Sequence, residues 1–340
     1  MMSSHSIAVV GATGLVGTTV LRLLHERHFP IKKLHLIASE HSSGKVLDYD
    51  GQPHVMVDLE TFDFSQVEIA FFCVSIDLAS IYAEKAAQAG CVVIDKSYCF
   101  RKHPDVPLIV PEVNEAALAQ FKMKRIIASP NCSTIPIAVA LKPIYDAVGI
   151  QRINVATYQS VSGTGKAAML ELAEQSRQLL NHEPILPNVY PQQIAFNVLP
   201  HIDHFEDNGY TREEMKMVWE LQKILNDTDL TINPTAVRVP VFCGHAAAVH
   251  LETKDKLSAE QAVSLLTNMP GIKVMTGKFP YATPARDAAG NDAVLVGRVR
   301  EDISHPLGLN LWIVADNLRK GAALNAVQIA EQLIKRYFPL

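Results

Sequence analysis

The segment SIAVVGATGLVGTTVLRLLHER, residues 6–27, is where the fold of the chain begins. A short apolar run typical of a strand leads into a glycine-rich turn, and apolar residues at helical spacing follow. Gly11, Gly14 and Gly17 occupy the turn and the start of the helix. Glycines there let the backbone approach a pyrophosphate at a helix N-terminus. A turn without a ligand is the alternative, and the flanking strand and helix favour a dinucleotide site.

The alternation of strand and helix continues through the first part of the chain. Apolar runs predict further strands, with helices between them, in the segments KLHLIAS, VEIAFFCVS, CVVIDKS and RIIASPN. This order predicts an α/β fold with a Rossmann-like, doubly wound parallel sheet. After about residue 150 the pattern changes to longer helices and to alternating or β-branched strands such as RINVATYQSVSG and DAVLVGRVR. That change predicts a second, α+β domain with a mixed or antiparallel sheet.

The C-terminal segment RKGAALNAVQIAEQLIKRYF has the periodicity of an amphipathic helix. We expect it to pack back on the first domain. We therefore predict a discontinuous dinucleotide-binding domain made of residues 1–131 and 318–340. Residues 132–317 are predicted to form the catalytic domain, which binds the substrate and mediates oligomerisation.

Composition excludes several classes of protein. A chain of 340 residues with 48% hydrophobic and 19% charged residues is typical of a soluble two-domain protein. The net charge of −4 and the lack of a basic block argue against a nucleic-acid partner. No apolar run approaches the roughly 20 residues of a membrane span, and no secretory signal precedes the first strand. Five cysteines without a CxxC pair indicate a reducing cytoplasm, with no disulfide framework and no metal site.

A single cysteine lies where another strand turns into a helix, in IIASPNCSTIPIAVALKPIYDAVG, residues 126–149. A free thiol has a pKa of about 8.5, and a helix N-terminus favours its anion. Ser133 and Thr134 are expected to cap the helix, whose apolar periodicity starts at Ile135. Cys132 is therefore a candidate nucleophile. A small buried hydrophobic residue is the alternative, and it is the commonest fate of a lone cysteine.

Three distant residues strengthen the case for a thiol site. Gln159 precedes a second glycine-rich turn, YQSVSGTGK, and Arg238 interrupts an otherwise apolar strand, where a guanidinium needs an anion. His245 follows Gly244 at a strand break, and a cysteine with a remote histidine is the usual form of an acid–base-assisted thiol site. A surface arginine and a hydrogen-bonded core histidine remain the alternatives.

The motifs GATGLVG, FRKHPDVPLIVPEVN, SPNCSTI, YQSVSGTGK, REEMKMVWELQKIL, VRVPVFCGH and ADNLRKGAA occur in this order along nearly the whole chain. Together they resemble the aspartate-β-semialdehyde dehydrogenase family. The resemblance implies NADPH-dependent reduction of L-aspartyl-4-phosphate to the semialdehyde, with release of inorganic phosphate, in the biosynthesis of lysine, threonine, methionine and diaminopimelate. It also implies a homodimer or homotetramer formed through the second domain.

The same resemblance implies a role for each site residue. Cys132 would form a thioester, His245 would be the general acid and base, and Gln159 would orient the acyl group. The residues implied in substrate binding are Asn131 beside the thiol, Arg238 for the α-carboxylate, Glu213 for the amino group, and Arg101 and Lys216 for the phosphate. Glu213 and Lys216 share one helix face, at i and i+3. An exposed charge pair is the alternative for these two.

The cofactor implied is NADP. A histidine at position 41 replaces the family's arginine, so NAD remains an alternative cofactor. Ala246 and Ala247 and the segment 73–76 also depart from the family pattern. The residues implied in cofactor binding are Gly11, Thr13, Gly14, Leu15, Val16, Ser39, His41, Ser42, Ser162, Gly163 and Asn317.

Two rival functions stay open at this point. N-acetyl-γ-glutamyl-phosphate reductase shares the thioester chemistry on a longer substrate, and SPNCST with the Glu213 and Lys216 pair argues against it. A diverged or non-catalytic relative that binds a dinucleotide would be expected to lose the thiol, which this chain keeps.

Overall fold

The computed structural model describes residues 4–338. The chain divides into two compact units, of which one runs to Pro130 and resumes at Ala322 and the other spans Asn131–Gly321. A parallel sheet forms the first unit and a mixed sheet the second, so the predicted fold class is confirmed. No helix within residues 4–338 has both the length and the apolar character that a bilayer crossing requires.

The first unit is built on a six-stranded sheet in the order β5-β2-β1-β6-β7-β8, with every pair parallel. The chain leaves β1 for β2 on one side and later returns to β6 on the other, so the carboxyl end of β1 is a topological switch point. The elements of this unit are β1 (His5–Val10), α1 (Leu15–Glu26), β2 (Ile31–Ala38), β3 (Val46–Tyr49), β4 (Gln52–Val55), β5 (Val57–Asp58), β6 (Ile69–Phe72), α2 (Ile76–Gln88), β7 (Val92–Asp95), α3 (Pro111–Asn114), β8 (Ile126–Ala128) and α8 (Leu324–Tyr337).

Helix α8 belongs to the core of the first unit. Its Leu333 is fully buried in one apolar cluster with Leu24 of α1 and Phe71 of β6. Asn325 also donates to the carbonyl of Ile109 at 3.0 Å. The regular α-helix begins at Leu324, later than the periodicity predicts, because residues Arg319–Ala323 form a wider π-helical turn.

The hairpin β3–β4 is an element that the periodicity does not predict. Its strands have only four residues each and are largely exposed, so no apolar run marks them. The signal that does mark them is the Asp50-Gly51 pair, because both residues have positive φ, at 56° and 70°. Two such residues form the tight turn that joins the strands of a hairpin.

The second unit contains a mixed sheet in the order β10-β9-β11-β14-β13-β12. The two outer pairs are parallel and the three inner pairs are antiparallel. Helix α4 packs on β11, β13 and β14, α6 on β10, and α7 on β12 and β13. The elements are α4 (Thr134–Val148), β9 (Ile150–Gln159), α5 (Lys166–Leu180), α6 (Arg212–Leu225), β10 (Thr231–Arg238), β11 (His245–Thr253), α7 (Ala259–Asn268), β12 (Ile272–Val274), β13 (Val294–Glu301) and β14 (Gly308–Ala315).

The register of this sheet gathers three polar residues at one end. Gln159, the last residue of β9, pairs with Arg238, the last residue of the parallel strand β10. Strand β11 runs the opposite way and pairs its Ala246 with Tyr158, so His245 lies at the same end. Residues far apart in the chain therefore meet at one edge of the sheet.

Candidate active site

The centre of the site is a cysteine and histidine pair. Sγ of Cys132 lies 3.3 Å from Nε2 of His245, although 113 positions separate the two residues. His245 is only 3% exposed and Cys132 is partly buried. A thiol in hydrogen-bond contact with an imidazole is the arrangement that nucleophilic thiol chemistry requires.

Cys132 lies just before α4, but the predicted capping of this helix is wrong. Ser133 already has helical dihedral angles, so its hydroxyl makes no capping hydrogen bond. The side chain of Asn131 acts instead, because its Oδ1 accepts from the amide of Ser133 at 2.8 Å. The hydroxyls of Ser133 and Thr134 are buried and have no hydrogen-bond partner among residues 4–338.

The surroundings of His245 keep its ring neutral. The amide of Ser160 donates to Nδ1 at 3.1 Å, and Oγ of Ser160 lies at the same distance. Burial lowers the pKa of His245 to about 3, and the nearby Arg238 cation adds to the effect against a weaker, opposite influence from Glu213. A neutral imidazole is the form that can accept a proton from the thiol.

Arg238 is a buried cation with a donor that remains available for an anion. Its Nη1 donates to the carbonyl of Ser160 at 2.7 Å, and its guanidinium lies 5.9 Å from the ring centre of Tyr190. Its Nε is buried without a hydrogen-bond partner among the described residues. A side chain at Gly163 would place its Cβ 3.1 Å from that Nη1 and 3.3 Å from Nε2 of His245. The absence of this side chain keeps space open between cation and imidazole.

A second polar group lies on α6. Glu213 accepts from Nδ2 of Asn131 at 3.0 Å and pairs with Lys216 at 3.1 Å, and Lys216 also pairs with Asp203 at 2.7 Å. Burial would raise the pKa of Glu213, but Lys216 and Asn131 outweigh it and lower that pKa. The two carboxylates likewise raise the pKa of Lys216 against the effect of burial. Glu213 is 5% exposed, so the alternative of an exposed charge pair is wrong.

The remaining residues predicted for the substrate lie in different units. Gln159 belongs to the second unit, is 1% exposed, and donates from Nε2 to Thr157 at 3.3 Å. Arg101 belongs to the first unit, where its guanidinium donates to the carbonyls of Ser97 and Lys96 at 2.9 and 2.8 Å. The roles of both residues stay predictions.

The glycine turn of the first unit fits a dinucleotide. Gly11 has a φ of +82°, and a Cβ on it would lie 2.4 Å from the carbonyl oxygen of Cys73. A Cβ on Gly17 would lie 2.2 Å from the carbonyl oxygen of Gly11, so no larger residue fits at either position. Gly14 is the N-cap of α1, and no side chain caps this helix. The first amides of a helix lack intrahelical acceptors, which suits a pyrophosphate. Thr13 lies in this turn, and Leu15 and Val16 open α1.

A cavity of about 330 Å³ adjoins that turn in the first unit. Ser39 and His41 line it at the end of β2, together with Asp58 and Tyr82. Ser42 closes the short 3-10 turn there and donates its amide to the carbonyl of Ser39 at 2.8 Å. A cavity beside a phosphate-binding turn is suited to the adenosine half of a dinucleotide.

The other residues predicted for the cofactor lie in the second unit, in contact with each other. Nδ2 of Asn317 donates to Oγ of Ser162 at 2.9 Å, and Oδ1 of Asn317 accepts from the amide of Gly244 at 2.8 Å. Both side chains are buried, and Gly163 follows Ser162 in a 3-10 turn.

Four residues of the site were not found from the sequence. Ser160, Tyr190, Asp203 and Glu220 all contact the predicted residues, the last through its carboxylate on the amide of Asn131 at 2.6 Å. Ser160 lies within the motif YQSVSGTGK and Glu220 within REEMKMVWELQKIL, which was the one available signal. Tyr190 and Asp203 lie in loops without a local pattern that indicates a site.

Comparison with known proteins supports one family. Residues 6–121 match the family model for the semialdehyde dehydrogenase NAD binding domain, and residues 141–320 match that for the semialdehyde dehydrogenase dimerisation domain. The chain is 58% identical over 339 residues to aspartate-semialdehyde dehydrogenase of Legionella pneumophila, which covers 99% of this chain and 98% of the relative. It is 57% identical over 338 residues to aspartate-semialdehyde dehydrogenase 2 of Vibrio cholerae, with 99% and 100% covered.

A solved structure agrees with these relatives. The crystal structure of aspartate semialdehyde dehydrogenase II from Vibrio cholerae, complexed with ASA, has a TM-score of 0.97 and 56% identity, and covers 99% of this chain and 100% of that one. The resemblance drawn from the motifs is confirmed, and it is favoured over the rival families. The chain belongs to the aspartate-semialdehyde dehydrogenase family.

Proposed function

We propose that this protein catalyses the NADPH-dependent reductive dephosphorylation of L-aspartyl-4-phosphate to L-aspartate 4-semialdehyde and the reverse reaction. The observation that carries this proposal is the 3.3 Å contact between Sγ of Cys132 and Nε2 of His245, beside the buried cation of Arg238. The family relationship supports the same reaction. The product is an intermediate for lysine, threonine, methionine and diaminopimelate biosynthesis.

The chain's own residues account for the acyl transfer. His245, neutral at physiological pH, accepts the thiol proton of Cys132 at Nε2. The sulfur attacks the acyl carbon, and inorganic phosphate leaves as the thioester forms. When bound, the nicotinamide cofactor supplies the hydride for reduction of the acyl group. His245 holds its proton beside the oxygen that develops negative charge. As the carbon–sulfur bond breaks and the aldehyde C=O bond forms again, that proton passes from Nε2 to Sγ and restores the thiol.

The charges around the pair fit a free amino acid as substrate. The Nε of Arg238, which has no hydrogen-bond partner among residues 4–338, is suited to an α-carboxylate. Glu213, whose pKa is lowered, is an anion suited to an ammonium group. Gln159 orients the acyl group, and Asn131 lies beside the thiol. Lys216, with Arg101, is proposed for the phosphate. An N-acetylated substrate carries no ammonium, so a buried carboxylate in this place argues against N-acetyl-γ-glutamyl phosphate.

Replacing Arg238 by lysine tests the carboxylate site. We expect KM for the semialdehyde to rise about 10- to 100-fold with a smaller change in kcat, because a hydrogen bond to a charged group contributes about 1.5–3 kcal/mol and lysine lacks the planar fork. Arg300→Lys is the matched control, since its guanidinium donates to the carbonyl of Arg298 on the exposed part of β13. An unchanged KM in Arg238→Lys contradicts the assignment.

The cofactor proposal is NADP, with NAD as the alternative. Gly11, Thr13, Gly14, Leu15 and Val16 would hold the pyrophosphate. Ser39, His41 and Ser42 would lie at the adenosine ribose, and Ser162, Gly163 and Asn317 are proposed for the nicotinamide half.

Replacing His41 by arginine tests the ribose site. We expect KM for NADP to fall about two- to fivefold, the range for an ion pair exposed to solvent, because an arginine can pair with the 2′-phosphate. KM for NAD, which lacks that phosphate, is the internal control and should not change. Equal changes for both cofactors, or no change for NADP, would place the 2′-phosphate elsewhere.

We propose further that the protein is a cytoplasmic homodimer or homotetramer assembled through its second unit. The match of residues 141–320 to a dimerisation domain supports the assembly. Within residues 4–338 none of the five cysteines is joined in a disulfide, which agrees with a reducing compartment.

A steady-state assay tests the proposed reaction directly. Purified protein is supplied with L-aspartate 4-semialdehyde, phosphate and either NADP or NAD, and formation of the reduced cofactor is followed. Turnover should depend on phosphate and be much slower with N-acetyl-L-glutamate 5-semialdehyde. A preference for the acetylated aldehyde would favour the rival reductase, and no turnover of either aldehyde would favour a non-catalytic relative.

A further inference from the structure

Ser160 contacts His245 on the side of the ring away from the sulfur. The Ser160 amide and hydroxyl oxygen both lie 3.1 Å from Nδ1, and Ser160 is completely buried. An amide can only donate a hydrogen bond, whereas a hydroxyl can donate or accept. The amide therefore requires Nδ1 to accept a hydrogen bond, whereas the hydroxyl allows Nδ1 either to accept or to donate one.

Asn317 gives the Ser160 hydroxyl a second partner. Oγ of Ser160 lies 3.2 Å from Oδ1 of Asn317. The amide of Gly244 donates to that same Oδ1 at 2.8 Å, which fixes the oxygen end of the Asn317 side chain in this position. The hydroxyl proton of Ser160 can therefore point in two directions: toward Nδ1 of His245, or away from the ring, where Oδ1 of Asn317 and Oγ of Ser162, which lies at 3.1 Å, can each accept it.

These two directions correspond to two tautomers of the neutral ring. With its proton on Nε2, the ring accepts from Ser160 at Nδ1 and can only donate toward Cys132. With its proton on Nδ1, the ring donates to Oγ of Ser160 and presents a bare Nε2 to the sulfur. Only the second tautomer can take the thiol proton. The Ser160 amide disfavours this tautomer, because its N–H points at Nδ1.

We propose that the hydroxyl of Ser160 is a positioning group that holds the Nδ1 proton of His245, turns its own proton to Asn317, and so leaves Nε2 bare toward Cys132. The thiol proton then moves from Sγ to Nε2 and leaves a thiolate beside an imidazolium. Both ring protons have acceptors in that state, the thiolate at Nε2 and Oγ of Ser160 at Nδ1. Ser160 keeps its own proton throughout. The role in turnover rests on the proposed function, but the effect on the thiol does not.

Ser160→Ala isolates this hydroxyl. The variant keeps the Ser160 amide on Nδ1 and the carbonyl that accepts from Nη1 of Arg238, so the charged neighbours Arg238 and Glu213 stay in place. It removes the hydroxyl oxygen of Ser160 as an acceptor for the Nδ1 proton. The ring should then remain in its Nε2-protonated tautomer, which cannot accept the thiol proton.

The test combines thiol reactivity, kinetics and spectroscopy on the full chain. Alkylation of Cys132 by iodoacetamide at neutral pH, followed on its own peptide by mass spectrometry, should slow about 10- to 100-fold, which reaches the lower end of the roughly 10²- to 10⁴-fold that general acid–base catalysis contributes. The kcat should fall by a similar factor with KM for the semialdehyde unchanged. Nitrogen-15 NMR of His245, assigned by its loss in His245→Gln, should show Nδ1 protonated to a measurable extent in the unmodified protein and unprotonated in Ser160→Ala.

Thr253→Val is the matched control. Thr253 lies at the other end of β11, is 1% exposed, and donates its hydroxyl to the carbonyl of Leu307 at 3.0 Å. Its loss should leave Cys132 alkylation and the His245 spectrum unchanged. If Ser160→Ala does not fold, Ser160→Gly removes the same hydroxyl.

Each outcome separates the two proposals. Alkylation, kcat and His245 resonances that are the same in Ser160→Ala and the unmodified protein would overturn the positioning role and leave the proposed function standing. Alkylation that depends on Ser160 in a protein that turns over neither aldehyde would support the positioning role and overturn the proposed function.

Discussion

Replacing Cys132 by alanine should abolish turnover, with kcat falling by about 10⁴-fold or more, as when a covalent nucleophile is removed from other enzymes. The physical reason is that Sγ, the proposed nucleophile, contacts Nε2 of His245, and alanine offers no nucleophile in its place. Without Sγ no thioester can form, so phosphate cannot be displaced from the acyl carbon. The measurement is the steady-state assay with semialdehyde, phosphate and NADP.

Cys91→Ala is the control for the loss of a thiol. Cys91 is completely buried beside β7, and burial raises the pKa of its thiol to about 12, so it is chemically inert at neutral pH. This variant should keep its activity. Mass spectrometry of the unmodified protein mixed with the acyl phosphate, without cofactor, should show the acyl group on Cys132 alone. Full activity in Cys132→Ala would rule out the thioester mechanism.

Replacing His245 by glutamine should lower kcat by about 10²- to 10⁴-fold, the usual contribution of a general acid and base. KM for the semialdehyde should change little, because Arg238 and Glu213, and not His245, are the residues proposed to bind the charges of the substrate. Alkylation of Cys132 should also slow, since glutamine cannot accept the thiol proton.

The matched control is His250→Gln on the same strand. His250 lies five positions further along β11, where its Nε2 contacts Asp302 at 2.6 Å. That variant should keep kcat and Cys132 reactivity. Equal losses in both variants would mean that His245 acts only by supporting the sheet.

The acid stability of His245→Gln provides an independent check on the buried ring. The pKa of His245 is about 3 in the folded protein and about 6.5 in an unfolded chain. As the pH falls below about 6.5, the unfolded chain therefore takes up this proton first, and the folded state loses stability. His245→Gln lacks this contribution, so its free energy of unfolding, measured in urea at about pH 7 and about pH 4.5, should fall less than that of the unmodified protein. An equal fall in both proteins would show that the ring is already protonated or accessible in the fold.

Much of the fold follows from local patterns in the chain. The glycine turn before α1, the apolar strands of the first sheet and the limits of α6 at Arg212–Leu225 all agree with periodicity and turn chemistry. The candidate nucleophile could be selected because Cys132 lies where a strand turns into a helix. The hairpin β3–β4 escaped prediction because exposed four-residue strands carry no apolar signal. The predicted capping by Ser133 was wrong because the φ and ψ angles of this residue are already helical, and its hydroxyl makes no hydrogen bond to a helix amide.

The sequence by itself determined the class of the fold, the dinucleotide turn and the residue types of a thiol site, because these depend on spacing over a few neighbouring positions. Only the tertiary structure decided which of them meet. The order β10-β9-β11 brings Arg238, Gln159 and His245 to one sheet edge. Cys132 contacts His245 there, although it precedes His245 by 113 positions in the chain. The tertiary structure also placed Ser160 between Arg238 and the ring and buried Glu213 against Lys216. Such contacts depend on strand register and burial, which are set by packing across the whole unit and have no local signal.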